Sequence, residues 1–165
     1  MILLCYDGSE DARAALESAA ELFPGQPATV LTVWQPFVEV AARSTVGFGM
    51  VPTIPDSAEI DEASMKAAGQ TAEEGADLVG KLGLDAKPLT AAQETTTARA
   101  ILIEAEKLGA HAIVMGSRGL TGVKSMLLGS VSNELIHHAD RAVVIVPSPD
   151  IATARARALR GDTGS

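Results

Sequence analysis

Four short apolar runs without polar alternation divide the sequence, and they predict strands that are buried on both faces of a sheet. These runs are residues 2–6, 28–33, 112–115 and 142–146. A fifth segment, residues 85–92, predicts a strand at the edge of the sheet. Its Lys87 and Pro88 are residues that protect an exposed edge from pairing.

Segments with helical periodicity lie between these strands, at residues 9–23, 56–82, 96–108 and 130–139. The first begins with Ser9, a favoured N-cap residue, and two others end in Lys-Leu-Gly, a helix stop signal. Strands that alternate with helices indicate parallel pairing with right-handed crossovers. The pattern therefore predicts one doubly wound, Rossmann-like α/β domain with helices on both faces of a parallel sheet.

Two segments fall outside the strand and helix pattern. Residues 34–57 form a long loop with three prolines, which is typical of a lid or an interface element. Residues 149–165 are rich in Arg, Ala and Gly, and they predict a flexible tail that contains at most a short helix. The expected domain is therefore residues 1–148.

Charge and apolar content limit the partners that this chain is expected to have. The 165 residues carry 13 basic and 21 acidic side chains, for a formal net charge of −8, which disfavours nucleic acid and anionic membranes. No apolar run approaches the ~20 residues of a membrane-spanning helix, and the N-terminus lacks signal-peptide features. A cytoplasmic protein is expected. The single cysteine, Cys5, is interpreted as a buried thiol, with a reactive thiol as the alternative.

Residues 115–135, MGSRGLTGVKSMLLGSVSNEL, join the fourth strand to the fourth helix and contain four glycines. Polar segments follow strand 1 (residues 6–9) and strand 4 (residues 116–119), and both are expected to face one crevice at the carboxyl ends of the strands. The helix that opens at Gly129 offers free amides to an anion, with hydroxyl groups from Ser130 and Ser132 and positive charge from Arg118. The stretch predicts a phosphate site, and a glycine-rich loop without a ligand is the alternative.

The spacing of these glycines matches neither G-x-x-x-x-G-K-[ST] nor G-x-G-x-x-G. Instead, G-2x-G-9x-G-[ST] after an apolar strand, the Asp-Gly-Ser after strand 1 and the closing AVVIVP resemble the universal stress protein family over residues 1–148. The resemblance implies a five-stranded parallel sheet in the order 3-2-1-4-5. It also implies the branch of the family that binds ATP, or AMP or another adenine nucleotide, with or without Mg²⁺.

Carried over by position, the family's pattern assigns roles to named residues. The resemblance implies that Asp7 and the backbone of Val33 hold the ribose and adenine, and that Met115 and Gly116 line the nucleoside site. It implies a phosphate site formed by Gly119, Gly129, Ser130, Val131 and Ser132. Arg118 occupies a position that varies in the family. From the residues alone, Asp7 has two alternatives, a cap of the next helix and a metal ligand.

The leading functional hypothesis is a regulatory, stress-response module whose physical act is to bind an adenine nucleotide. The alternatives are a slow ATP hydrolase or adenylyl-transfer enzyme on the same fold, and a dimeric interaction protein with a vestigial pocket. No nucleophile paired with a base is evident, so no catalytic residue and at most weak ATP hydrolysis are expected. The uncharged strand at 142–146 predicts a homodimer that pairs through this edge, and the family resemblance points the same way.

Overall fold

The computed structural model describes residues 1–37, 57–120 and 128–161. Within these residues five strands alternate with helices, and a further helix follows the last strand. In chain order the elements are β1 (Ile2–Cys5), α1 (Glu10–Leu22), β2 (Ala28–Trp34), α2 (Ser57–Lys81), β3 (Ala86–Ala92), α3 (Thr97–Lys107), β4 (Ala112–Gly116), α4 (Ser130–His138), β5 (Ala142–Val146) and α5 (Pro149–Leu159).

The five strands form one parallel sheet in the order β3-β2-β1-β4-β5. Strand β1 lies at the centre, where Ile2 pairs in register with Ala28 of β2 on one side and Ala112 of β4 on the other. The chain reverses its direction of winding between these two neighbours of β1. In an open α/β sheet such a reversal opens a crevice at the carboxyl ends of the strands. The predicted fold, and the strand order that the family resemblance implies, are confirmed.

The core has two layers, one on each face of the sheet. On one face Leu4 and Val30 pack with residues of α1 and α2. On the other face Leu3 and Ile113 pack with residues of α3 and α4. Alternate residues of β1 therefore point into different layers, which explains why this strand is apolar throughout.

Local signals in the sequence fix several element ends. Ser9 caps α1, since its side chain accepts a hydrogen bond from the backbone N–H of Ala12 at 3.2 Å. Gly83 and Gly109, which follow the two Lys-Leu sequences, have φ angles of +91° and +60°, a left-handed conformation that favours glycine at a helix end. The predicted stop signals are confirmed.

The structure differs from the sequence-based expectation at the C-terminus. Where a flexible tail was expected at 149–165, an 11-residue helix, α5, spans Pro149–Leu159. Pro149 opens this helix at a position where its missing N–H costs nothing. Residues 38–56 of the predicted loop at 34–57 lie outside the described residues. Across the part of the chain that is described, no helix combines the length and apolarity needed to cross a membrane.

Candidate nucleotide site

The loop after β1 contacts the loop after β4 through the carboxylate of Asp7. Oδ1 of Asp7 accepts a hydrogen bond from the backbone N–H of Ser9 at 3.0 Å, and Oδ2 accepts one from the backbone N–H of Leu120 at 3.2 Å. Gly8 makes the turn between strand and helix with a φ of +83°. The residue that caps α1 is Ser9, so Asp7 is not its N-cap and its carboxylate lies between the two loops.

The protein's own backbone requires glycine at position 116, and a side-chain atom crowds position 119. A Cβ atom on Gly116 would lie 2.6 Å from the backbone carbonyl carbon of Asp11. A Cβ atom on Gly119 would lie 2.6 Å from Oδ2 of Asp7. The family's pattern assigns Gly116 to the nucleoside site and Gly119 to the phosphate site, which is one reason for glycine at these positions. The structure adds another reason, which is the close packing of β4 and its loop against α1 and Asp7.

Gly129, in contrast, leaves room beside it. It is the N-cap of α4, with an ordinary φ of −70°, and a Cβ atom there would lie no closer than 3.4 Å to the nearest atom, the carbonyl oxygen of Ser117. Among the described residues no side chain caps α4, unlike α1 and α3, whose N-terminal amides are bonded by Ser9 and Thr96. The backbone amides in the first turn of α4 therefore have neither an intrahelical partner nor a side-chain cap.

The hydroxyl group of Ser132 has a different role from the one predicted for it. Ser132 is 1% exposed, and its Oγ donates toward the backbone carbonyl oxygens of Gly116 and Ser117, at 3.1 Å each. The side chain thus ties the first turn of α4 to the end of β4. The prediction that Ser132 offers a free hydroxyl donor is corrected in this respect, because its proton is already used, while the exposed Ser130 remains available.

A buried carboxylate, Asp11, lies next to the candidate phosphate site, and sequence reasoning missed it. Its Oδ2 accepts hydrogen bonds from Oγ of Ser117 at 2.7 Å and from the backbone N–H of Arg118 at 3.1 Å. The same oxygen lies 3.6 Å from Nε of Arg118. The charge that the sequence analysis offered to phosphate is therefore paired with a carboxylate of α1.

Polar side chains after β2 and β3 form a hydrogen-bonded chain at the other end of the crevice. Gln93 is 2% exposed, and its Nε2 donates to the carbonyl oxygen of Thr95 at 3.2 Å. Because that backbone oxygen can only accept, the amide orientation of Gln93 is fixed, and its Oε1 accepts from Thr97 at 2.7 Å and from Nε2 of Gln35 at 3.2 Å. The exposed Gln35 therefore meets Gln93 through its Nε2 donor.

One cavity of about 570 Å³ brings these groups together at the carboxyl ends of the strands. All ten residues singled out in the sequence line it: Asp7, Val33, Met115, Gly116, Arg118, Gly119, Gly129, Ser130, Val131 and Ser132. Its size lies within the range of about 300–1,000 Å³ that small-molecule sites have. The cavity combines an apolar wall, two loops rich in backbone donors and a few polar side chains.

Several lining residues lacked any signal in the sequence, and they are Gln35, Gln93, Thr96, Thr97, Ile101 and Glu134. Glu134 accepts a hydrogen bond from the hydroxyl of Thr96 at 2.7 Å, which links α4 to the N-terminus of α3. Side chains on α3 can be assigned to the crevice only when its position on the sheet is known. The described residues contain no group of three or more His, Cys, Asp or Glu side chains that could hold a metal ion.

Cys5 also lines the cavity, as a half-buried residue at the end of β1. Burial, together with the nearby charge of Asp7, raises the pKa of the Cys5 thiol to about 12. The thiol is therefore protonated at neutral pH, and the nucleophilic form is the thiolate. The interpretation of Cys5 as an inert, hydrophobic side chain fits this environment better than a reactive thiol.

Fold and cavity together define a doubly wound α/β protein with a cavity at its topological switch point. The model of the universal stress protein family matches residues 1–147, so the chain belongs to the universal stress protein family. Universal stress protein YxiE of Bacillus subtilis is similar to it, at 33% identity over 147 residues, which cover 88% of this chain and 97% of that protein.

Solved structures of this family share the fold. A universal stress protein in complex with cAMP matches with a TM-score of 0.60 and 19% identity, over 89% of this chain and 96% of its own. The universal stress protein from Archaeoglobus fulgidus in complex with dAMP matches with a TM-score of 0.57 and 19% identity, over 88% of this chain and 95% of its own. At this level of identity the likeness establishes the architecture.

Proposed function

We propose that this protein binds an adenine nucleotide, ATP or AMP, in the cavity at the carboxyl ends of β1, β2 and β4. In this proposal it acts as a regulatory module of the cytoplasmic stress response. The observation that carries the proposal is that the nine residues implied by the family's pattern, together with Arg118, line one cavity of about 570 Å³. The complexes of two fold relatives with cAMP and dAMP support an adenine nucleotide as the ligand.

The phosphates are proposed to lie against the first turn of α4. In the part of the chain that the structure describes, this turn has no side-chain cap, and Gly129 leaves space beside its backbone. Free backbone amides and the positive end of the helix dipole favour an anion at this position, even in a chain with a net charge of −8. A Mg²⁺ ion would arrive with the nucleotide, since phosphate oxygens and water supply most ligands of such an ion.

The nucleoside is proposed to occupy the end of the cavity near β2 and β3. Leu31, Val33 and Met115 offer apolar surface to the base there. Gln35 lines the same end of the cavity and adds a polar amide there. The carboxylate of Asp7 lies between the two loops, where ribose hydroxyls would reach it.

Mass spectrometry of the small molecules released by denaturing the purified protein tests this proposal. An adenine nucleotide in the released fraction is expected, because a preformed cavity retains a tightly bound ligand. A released fraction without nucleotide, together with no heat of binding for ATP, AMP or adenosine, would contradict the proposal. That result would favour a vestigial pocket in an interaction protein.

Replacing Asp7 with alanine is expected to weaken nucleoside binding by about 1.5–3 kcal/mol, the range for a lost hydrogen bond to a charged group. Adenosine and ATP should lose similar amounts, because the proposed contact is to ribose. Titration calorimetry with both ligands measures this. A loss confined to ATP would instead indicate that Asp7 acts at the phosphates. Glu10→Gln, an exposed carboxylate nearby in sequence, is the control and should leave both affinities unchanged.

An enzyme on the same fold is the alternative function. The polar groups that line the cavity are engaged structurally: Asp7 accepts from two backbone amides, and Glu134 accepts from Thr96. Among the described residues Asp7 bonds backbone amides, and the Thr96 hydroxyl that Glu134 contacts already serves as the N-cap of α3, where it accepts from the backbone N–H of Arg99 at 3.1 Å. Phosphate release over many turnovers, near the ~10 s⁻¹ median of enzymes, would favour the alternative.

We also propose a homodimer that forms through β5. This strand lies at one edge of the sheet and contains neither charge nor proline over Ala142–Val146. None of the residues of α5 is buried, which argues against the C-terminal helix covering that edge. A second copy, antiparallel about a two-fold axis, would satisfy the unpaired backbone groups.

Replacing Val144 with proline or lysine is expected to convert the dimer to a monomer, because proline removes a backbone donor and lysine places charge in the contact. Light scattering at micromolar concentration gives the mass, and circular dichroism checks that each variant is folded. Val144 packs partly against the core, so the fold check is essential. A monomeric wild type, or folded variants that stay dimeric, would contradict the proposal.

A further inference from the structure

A carboxylate beside a phosphate site needs an explanation, because it repels the ligand that the site is proposed to bind. Asp11 lies in the first turn of α1 with only 6% of its surface exposed. Three contacts converge on its Oδ2, and all three come from Ser117 and Arg118, which directly follow β4. The explanation must therefore involve this pair of loop residues.

Arg118 is the group whose charge would otherwise attract phosphate. It lines the cavity, and its Cα lies 3.5 Å from the position that a Cβ atom on Gly129 would take. Its backbone thus lies against the N-cap of α4. The side chains of Arg118 and Asp11 are 13% and 8% exposed, so water screens the pair little. The carboxylate compensates the guanidinium charge at the end of the site where the phosphates are proposed to lie.

We infer that Asp11 is a specificity-determining residue, which reduces the preference of the site for nucleotides with longer phosphate chains by pairing with Arg118. The site then binds phosphate mainly through neutral backbone amides, and its affinity depends more on the nucleoside than on the number of phosphates. This inference rests on the proposed function. It accounts for a cationic side chain in the cavity wall that is paired within the protein.

Asp11→Asn separates the charge of this residue from its shape. Asparagine is nearly isosteric, and its Oδ1 can accept the same hydrogen bonds from Ser117 and from the backbone of Arg118. The positive charge of Arg118 then lacks its carboxylate and is available to phosphate. ATP carries more phosphate charge than AMP, so ATP should gain more. The ratio of the AMP dissociation constant to the ATP dissociation constant is expected to rise about five-fold.

Glu10→Gln is the matched control. Glu10 lies in the same helical turn, is exposed, and its loss changes the net charge of the protein by the same amount. The AMP-to-ATP ratio should stay within about two-fold of wild type in this variant, because an exposed charge is screened by water and salt.

Arg118→Gln provides an independent variant with the opposite expected sign. It leaves the charge of Asp11 uncompensated, so the AMP-to-ATP ratio is expected to fall. If Asp11→Asn does not fold, the ratio measured for Arg118→Gln tests the inference by itself. Thermal unfolding identifies which variants are folded.

Titration calorimetry of wild type and the three variants with AMP and ATP is the experiment. A raised ratio in Asp11→Asn, a lowered ratio in Arg118→Gln and an unchanged ratio in Glu10→Gln would support the inference. Intact nucleotide binding with an unchanged ratio in either folded variant of the pair would overturn this inference alone. A lowered ratio in Asp11→Asn would also overturn it, since Asp11 would then act by holding the loop in place. A wild type that binds neither nucleotide would overturn the proposed function and this inference together.

Discussion

Replacing Gly116 with alanine is expected to lower the free energy of unfolding by about 3 kcal/mol, at the upper end of overpacking effects. The added Cβ would lie 2.6 Å from the carbonyl carbon of Asp11 and 2.7 Å from the backbone nitrogen of Ala12. Both are backbone atoms in the first turn of α1, so no side chain can rotate away. Strand β4 and α1 would have to move apart, which also opens the buried contacts of Asp11. Chemical denaturation of both proteins measures the difference.

Gly69→Ala is the matched control for this prediction. Gly69 lies within α2, where an added Cβ would meet nothing within 4 Å. Alanine favours a helix over glycine by about 1 kcal/mol, so this variant should be as stable as wild type or more stable. A Gly116→Ala protein with the stability of wild type would show that α1 and β4 are not packed as closely as described.

Replacing Gly129 with valine is expected to lower the affinity for ATP by about 100-fold or more. The valine side chain would occupy the space beside the uncapped first turn of α4. Charge-assisted hydrogen bonds contribute about 1.5–3 kcal/mol each, so the loss of two amide contacts to phosphate gives this magnitude. Adenosine lacks phosphate, and its affinity should change by less than about three-fold. Titration calorimetry with ATP and adenosine tests the contrast.

The fold should tolerate valine at this position, because a Cβ on Gly129 makes only ordinary contacts and φ is −70°. Gly80→Val is the control, since Gly80 lies in α2, away from the cavity, and an added Cβ there meets nothing within 4 Å. ATP should bind this control as it binds wild type. A folded Gly129→Val protein with unchanged affinity for ATP would show that the phosphates do not bind at the first turn of α4.

The architecture could be predicted from sequence because its signals are local. Buried parallel strands have continuous apolar runs, and helix ends carry capping and stop residues, as Ser9 and Gly109 illustrate. Pro88 correctly marked β3 as an edge strand. The helix at Pro149–Leu159 was harder to predict, because none of its residues is buried and it lacks a strong apolar stripe.

The candidate site likewise contains residues that the sequence predicted and residues that it did not. The residues on the two loops after β1 and β4 were predictable, because the glycine spacing and the polar residues that follow each strand can be read directly from the sequence. Asp11 and Gln93 were not, because each is buried through contacts with segments distant in sequence; Asp11 bonds Ser117 across 106 positions. Gly116 also has a packing role against the backbone of α1, which the glycine spacing does not indicate. Sequence patterns thus identified residues that line the cavity but did not reveal the buried groups that support them.

The central claim is that an adenine nucleotide binds against the first turn of α4 at the carboxyl ends of the strands. Amide chemical shifts of the 17.0 kDa protein, recorded by NMR during titration with ATP, test it most directly. The account predicts the largest shifts at Gly116, Gly119 and the amides of Gly129–Ser132, with little change at Gly80 and Leu84 in another part of the molecule. No shifts at saturating ATP, or shifts that leave the first turn of α4 unaffected, would contradict it.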